Sequence, residues 1–310
     1  MNDNINKKHI FNLAPMECTT SCILTYLNMK QKNSSYFLLS YWHLTYYQQV
    51  LMSGTKKSNL NSLYGVKQTY YEASVASIVN CLHNNQHVIL MCRPDRLNYF
   101  PRENLIFNNL NFMHAILIYN VDEEEQFHFI DPTEDYVGTM SATEVEHLIH
   151  RKAMCLALDD KLDVKQNEEE LILSSIQEVY RTYMSYSVHA LHPFKKDFAY
   201  LNSWSALRRE QWLKQHNVMI SAIVKTRKAV WQAYEDVNFF TPAQHKELEQ
   251  GMNKLLKQWM YLNFSLLKFK NNSSQQLIEN ICHVIDDIAR REKDFILLLK
   301  QYADETKVAS

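Results

Sequence analysis

Glycine is scarce. The 310-residue chain carries 4, where an average chain of this length holds about twenty. No two of them lie close together. A phosphate-cradling loop needs several glycines within a few residues, so a Walker or Rossmann nucleotide site is excluded. Proline is also sparse, at 6 residues, and so few turn-formers suit a helix-rich protein. The six cysteines, Cys18, Cys22, Cys81, Cys92, Cys155 and Cys282, contain no CxxC pair and no dense framework. No apolar run approaches the ~18 residues needed to span a bilayer. The opening MNDNINKKHIFNL lacks the apolar stretch of a secretory leader. A cytoplasmic protein with reduced thiols and no membrane partner is expected. The formal net charge of −1 gives no reason to expect nucleic acid.

What is present is a chain that can fold: 46% apolar and 22% charged residues support a packed core. The length suits one large domain or two ordinary ones. Patterns change across the charged stretch DDKLDVKQNEEE at 159–170. Before it they are mixed; after it they are helical. The expected fold class is α+β, with a mixed domain over 1–160 and an all-α helical domain over 168–305.

In the first part, Ile23, Tyr26 and Leu27 lie at helical spacing, predicting a helix from Cys18 to about Met29. Further helices are expected at about Ser35–Met52 and Thr69–His83, then a strand at His87–Cys92 and a long loop at 93–111. The runs MHAILIYN (113–120) and FHFIDP (127–132) flank the polar DEEEQ and predict a β-hairpin. A short helix is expected at Ala142–His150. The second part predicts helices near 168–188, 203–215, 217–235, 242–269 and 274–302. Trp204, Trp212, Trp231 and Trp259 are expected in their core.

The chemistry-bearing residue is Cys18, in APMECTTSCILTYL. Pro15 resists helix continuation, and the helical pattern begins after Cys18. A thiol at a helix N-terminus meets free N–H groups and the positive end of the helix dipole, which favour a thiolate. Only the thiolate is a good nucleophile. The other five cysteines are expected to be packing residues. A base is needed, and His114 opens the first hairpin strand. Asp131 ends the second. If Ile116 lies opposite Asp131, His114 is its diagonal neighbour on the same face, within side-chain reach. A carboxylate there would orient the imidazole. A slip of one residue would put the two on opposite faces. Asp122, Asn120 and Asp135 are the competing orienters. The spacings His83-x3-His87 and His147-x2-His150 offer no third ligand, so no metal is expected.

ECTTSCIL, then LMCRPDRLNYFP (90–101), then MHAILIYNVDEEEQFHFIDP resemble the papain-like cysteine peptidase superfamily. More specifically, residues 8–155 resemble the butirosin biosynthesis protein H N-terminal-domain family. That resemblance implies a papain-like domain that moves an acyl or aminoacyl group from a carrier-protein thioester to an acceptor, with no cofactor. It implies that Cys18 takes the acyl group, His114 shuttles the proton and Asp131 orients His114. Peptidases of this type place a Gln six residues before the Cys as an oxyanion donor; this chain has Asn12. They place Gly after the Cys; this chain has Thr19. Both departures lead away from a standard peptidase.

An acyl carrier protein is the partner implied, with a small-molecule acceptor. Carriers are acidic, and the stretch 203–233 carries Arg208, Arg209, Lys214, Lys225, Arg227 and Lys228 against one acid, Glu210. These six are the candidate carrier-docking residues. The alternatives are a cysteine peptidase or hydrolase, a thioesterase or cyclase releasing a carrier-bound chain, and a binding module that kept the fold. The sequence leaves the oligomeric state open.

Overall fold

The computed structural model describes residues 7–54, 59–102, 105, 107, 112–159 and 167–309, except the side chains of 151, 308 and 309. In chain order the helices are α1 (Cys18–Met29), α2 (Ser35–Leu38), α3 (Leu60–Tyr64), α4 (Val75–His83), α5 (Ala142–Leu148), α6 (Glu168–Ser185), α7 (Leu191–Ala199), α8 (Ala206–Val237), α9 (Pro242–Asn271) and α10 (Gln275–Ala309). The strands are β1 (His43–Tyr47), β2 (Val50–Gly54), β3 (Val66–Glu72), β4 (His87–Cys92), β5 (His114–Val121), β6 (Phe127–Asp131), β7 (Tyr136–Met140) and β8 (Ile149–Leu158). A sheet-containing N-terminal region is thus followed by a helical C-terminal one, the α+β class. No described helix is long and apolar enough to cross a membrane.

The chain forms two units. The first comprises Met1–Ser34 and Ser58–Lys165, the second Ser35–Lys57 and Gln166–Ser310. Residues 35–57 therefore group with the C-terminal helices, and the units are not the two contiguous blocks read from the composition change. The charged stretch at 160–166, residues 103–104, 106 and 108–111, and the first six residues of the chain lie outside the described residues.

The first unit is built on a six-stranded sheet, order β3-β8-β4-β5-β6-β7, antiparallel throughout. Alternation gives it two buried faces. On one, Val88, Leu90, Ile116, Ile118, Phe127 and Phe129 pack with Ile78 and Leu82 of α4 and Val145 and Leu148 of α5. On the other lies α1: Tyr26 meets His87 edge-on at 5.1 Å, and the Thr19 hydroxyl reaches Met91 Sδ at 3.7 Å. In β5 and β6, Leu117 faces Ile130 and Ile118 faces Phe129. Continued outward, that register sets Ile116 opposite Asp131, before a bulge between Ile118 and Asn120. His114 and Asp131 thus extend the inward rows of the first face to its end.

Three expected elements are corrected. The stretch 35–52 is not one helix: it is the short α2 followed by the β1–β2 hairpin. Its turn residues Gln48 and Gln49 take left-handed φ of 50° and 64° without the usual Gly or Asn, which hides the hairpin from a pattern search. The stretch 69–83 is a strand and then a helix, divided at Ser74, which caps α4 through a reciprocal capping box with Ser77. Helices expected at 203–215 and 217–235 are the single 32-residue α8. His216, in its middle, is buried, pairing through Nδ1 with the Trp212 carbonyl at 2.8 Å and accepting the Leu51 N–H on Nε2 at 3.3 Å.

In the second unit α8, α9 and α10 pack as neighbours, with α6 and α7 against α10. Its centre is charged. Arg227 and Glu292, neither with any exposed side chain, pair at 3.0 Å. Glu292 also accepts the indole N–H groups of Trp42 at 2.6 Å and Trp259 at 2.9 Å. The guanidinium lies over the Trp42 ring at 4.2 Å. The carboxylate's lone pairs are therefore well satisfied, which a buried charge requires.

Candidate functional site

Cys18 is the first residue of α1, and the residue before it, Glu17, makes no side-chain cap. The dipole and the amides of the first turn therefore face the thiol region without a competing cap. The Cys18 thiol points toward the Met113 carbonyl, a long 3.9 Å contact. Met113 precedes β5, so the thiol sits at the strand end where His114 begins.

His114 and Asp131 meet. Nε2 and Oδ2 are 2.6 Å apart, and both side chains are buried. Asp131 is held from every side. Oδ2 also accepts the Tyr99 hydroxyl at 3.1 Å. Oδ1 accepts the Thr133 N–H at 3.2 Å, the Thr133 hydroxyl at 2.9 Å and the Glu134 N–H at 3.4 Å. This Asx-type turn over Asp-Pro-Thr fixes the carboxylate as the chain leaves β6. Tyr99 stacks on Tyr136 at 4.0 Å and 8° and on Phe129 at 5.8 Å. Gly138 makes room for that stack: a Cβ there would lie 2.7 Å from the Tyr136 ring. Phe100 meets the His114 ring edge-on at 4.8 Å.

The second ring nitrogen, Nδ1, is buried and closes no hydrogen bond. Besides Asp131, the side chain acting on the ring is Cys18. Burial alone would depress the imidazole; the hydrogen bond to Asp131, with the charges of Asp131 and Cys18 near the ring, outweighs it and lifts His114 to about 10. Cys18 is 4% exposed, so the three side chains lie in a dry setting where charge interactions are strong. Burial pushes the neighbouring thiols Cys22 and Cys92 well up, so neither is a nucleophile at neutral pH.

Asn12 is close but occupied: one N–H of its amide donates to the Thr133 carbonyl at 2.9 Å, leaving the other for a ligand. It ties the segment before Cys18 to the turn after Asp131. Of the competing orienters, Asp122 pairs with His128 at 2.8 Å instead. The sequence alone does not mark Tyr99 or Thr133. Tyr99 lies in a loop without periodicity, and Thr133 was masked by the Asp-Pro strand stop.

The basic stretch of α8 is not one surface. Arg227 is fully buried in its pair with Glu292 and cannot dock a partner, a correction that follows from helical periodicity. Arg208 stacks on Trp204 at 4.0 Å and bonds Gln49 at 3.0 Å. Arg209 donates to Asn202 at 3.4 Å. Lys214 pairs with Glu210 at 3.0 Å. Lys225 and Lys228 are exposed. Among the described residues no group of three His, Cys, Asp or Glu could hold a metal ion.

The chain matches no protein-family model, and no curated protein sequence matches it.

Proposed function

We propose that Cys18, His114 and Asp131 form a nucleophile, acid–base and orienter centre in a papain-like domain related to the butirosin biosynthesis protein H N-terminal-domain family. The reaction is transfer of an acyl or aminoacyl group from a carrier-protein thioester to a small-molecule acceptor. The observation that carries this reading is the buried 2.6 Å contact between His114 and Asp131, with Cys18 acting on the same ring from a helix N-terminus.

The steps follow from the electrostatics. Raised to about 10, His114 is an imidazolium at neutral pH, the counterion that a Cys18 thiolate needs. The thiolate sulfur attacks the thioester carbonyl carbon, forming the new C–S bond and a tetrahedral oxyanion. First-turn amides of α1 and the remaining Asn12 N–H are the donors available to that oxygen. Collapse breaks the carrier's C–S bond, and the His114 imidazolium protonates the departing thiolate. Acylation removes the Cys18 thiolate, whose charge helped raise His114. The imidazole, now neutral, takes the proton of the attacking amine. Collapse then expels the Cys18 thiolate and restores the starting pair. Asp131 holds the ring orientation throughout.

The test is intact mass after incubation with acyl-loaded carrier protein and with acyl thioesters of N-acetylcysteamine. An acyl adduct that maps to Cys18, is absent in Cys18→Ala and is discharged by added amine is expected. Discharge by water alone would make the protein a hydrolase. No adduct across several acyl groups would remove the proposal.

A further inference from the structure

The outer face of α9 is apolar where a solvated helix is polar. Met260 is 42%, Tyr261 57%, Phe264 65% and Leu267 48% exposed. At spacings of three and four they form one stripe about two turns long. Lysines flank it at both ends: Lys254 and Lys257 before, Lys268 and Lys270 after. From Gln250 to Asn271 the helix carries these four lysines and no acid. An aromatic and Met centre with a charged rim is the composition of an interaction hot spot.

We propose that this face of α9 docks an acidic amphipathic helix of a partner protein. Three observations select that occupant. A second copy of the chain, apposed face to face, would set lysines against lysines, so self-association is opposed. The stripe is one helix wide and the lysines span about 24 Å, a fit for a helix. A flat anionic membrane would also meet α10, which has seven acidic and five basic residues. Asp287 of α10 stands beside Tyr261 and Lys257, in an open cleft shared with His283 and Val284. That cleft is a seat for an apolar side chain of the partner. On the other flank, Lys270 lies 3.8 Å from Glu210 of α8, and Asn217 of α8 donates to Asn263 at 2.7 Å, so the edge toward α8 is already knit together.

The experiment uses the full chain and two labelled helical peptides that share a leucine stripe, one flanked by Glu and the other by Lys. Fluorescence anisotropy should show at least tenfold tighter binding of the Glu peptide, weakening as salt rises. Phe264→Ser should cost at least tenfold, and Lys254→Glu with Lys257→Glu should abolish the preference. These positions are exposed, and an unchanged thermal melt verifies the fold. Equal binding of both peptides, binding of neither, or binding untouched by the variants would overturn the proposal. Co-sedimentation with phosphatidylglycerol vesicles in place of Glu-peptide binding would overturn it in favour of a lipid surface. Cys18→Ala should bind like the wild type, so this docking surface and the acyl-transfer centre stand or fall separately.

Discussion

Asp131→Asn isolates what the buried pair contributes. Asp131 has no exposed surface and receives five donors, two on Oδ2 and three on Oδ1. An amide has one acceptor oxygen. The lowest-cost arrangement turns it toward the Thr133 and Glu134 N–H groups, because a backbone N–H cannot become an acceptor. The NH2 group then faces His114 Nε2, which must accept, moving the ring proton to Nδ1. Burial, the largest influence on the ring and a lowering one, then acts with less opposition, and His114 becomes neutral. In the wild type the folded value near 10 lies above the unfolded 6.5. The pair's stability is therefore fully present below pH 6.5 and lost as pH rises through 10. The full shift corresponds to about 5 kcal/mol, and breaking such a pair typically costs about 3–5 kcal/mol. The sheet unit can be followed alone, because Cys22 and Cys92 are fully buried within it. Pulse thiol labelling in urea, wild type against variant at each pH, should show a gap of several kcal/mol at pH 6 that narrows by pH 10. A gap constant from pH 6 to 10 would refute the charged pair.

Three further outcomes are expected. Tyr99→Phe removes one donor to Asp131 while keeping the stack on Tyr136; it should cost about 1–3 kcal/mol, and the His114 imidazole resonance should titrate at higher pH. Arg227→Met should destabilise the helical unit by about 3–5 kcal/mol by leaving Glu292 buried without its cation, whereas Arg227→Met with Glu292→Met should cost less; tryptophan fluorescence reads this unit alone, since all five Trp lie in it. His216 is lowered by burial to about 3, so the helical unit should hold its stability above pH 6.5 and lose it as pH falls toward 3, an acid loss that His216→Phe reduces in the same fluorescence assay.

The legible parts of the sequence were those carried by short-range signals. The hairpin at 113–132 is readable because two β-rich runs enclose a polar turn; its register is not, since the turn DEEEQ leaves a one-residue slip open, and only the observed pairing of Leu117 with Ile130 sets Ile116 opposite Asp131. The start of α1 was readable from Pro15 and the periodicity after Cys18. Long-range pairing was not. β3 and β8 pair with each other from Val66↔Leu158 to Glu72↔Lys152, eighty or more residues apart, and β3 alone has the mixed polarity of a helix face. Tyr99 reaches Asp131 across 32 residues of sequence, and no local pattern announces such a contact. Arg227 shows the converse: a basic residue among basic residues reads as surface until its partner, Glu292, is supplied from another helix.

The most direct measurement is the rate at which iodoacetamide alkylates Cys18 at pH 7, resolved from the other thiols by peptide mapping. Cys18 is buried and Cys282 is half-buried, so exposure alone would favour Cys282. The account predicts that Cys18 reacts first despite its burial, and that His114→Ala slows it at least tenfold. Labelling of Cys18 no faster than Cys282, or a rate indifferent to His114, would contradict it.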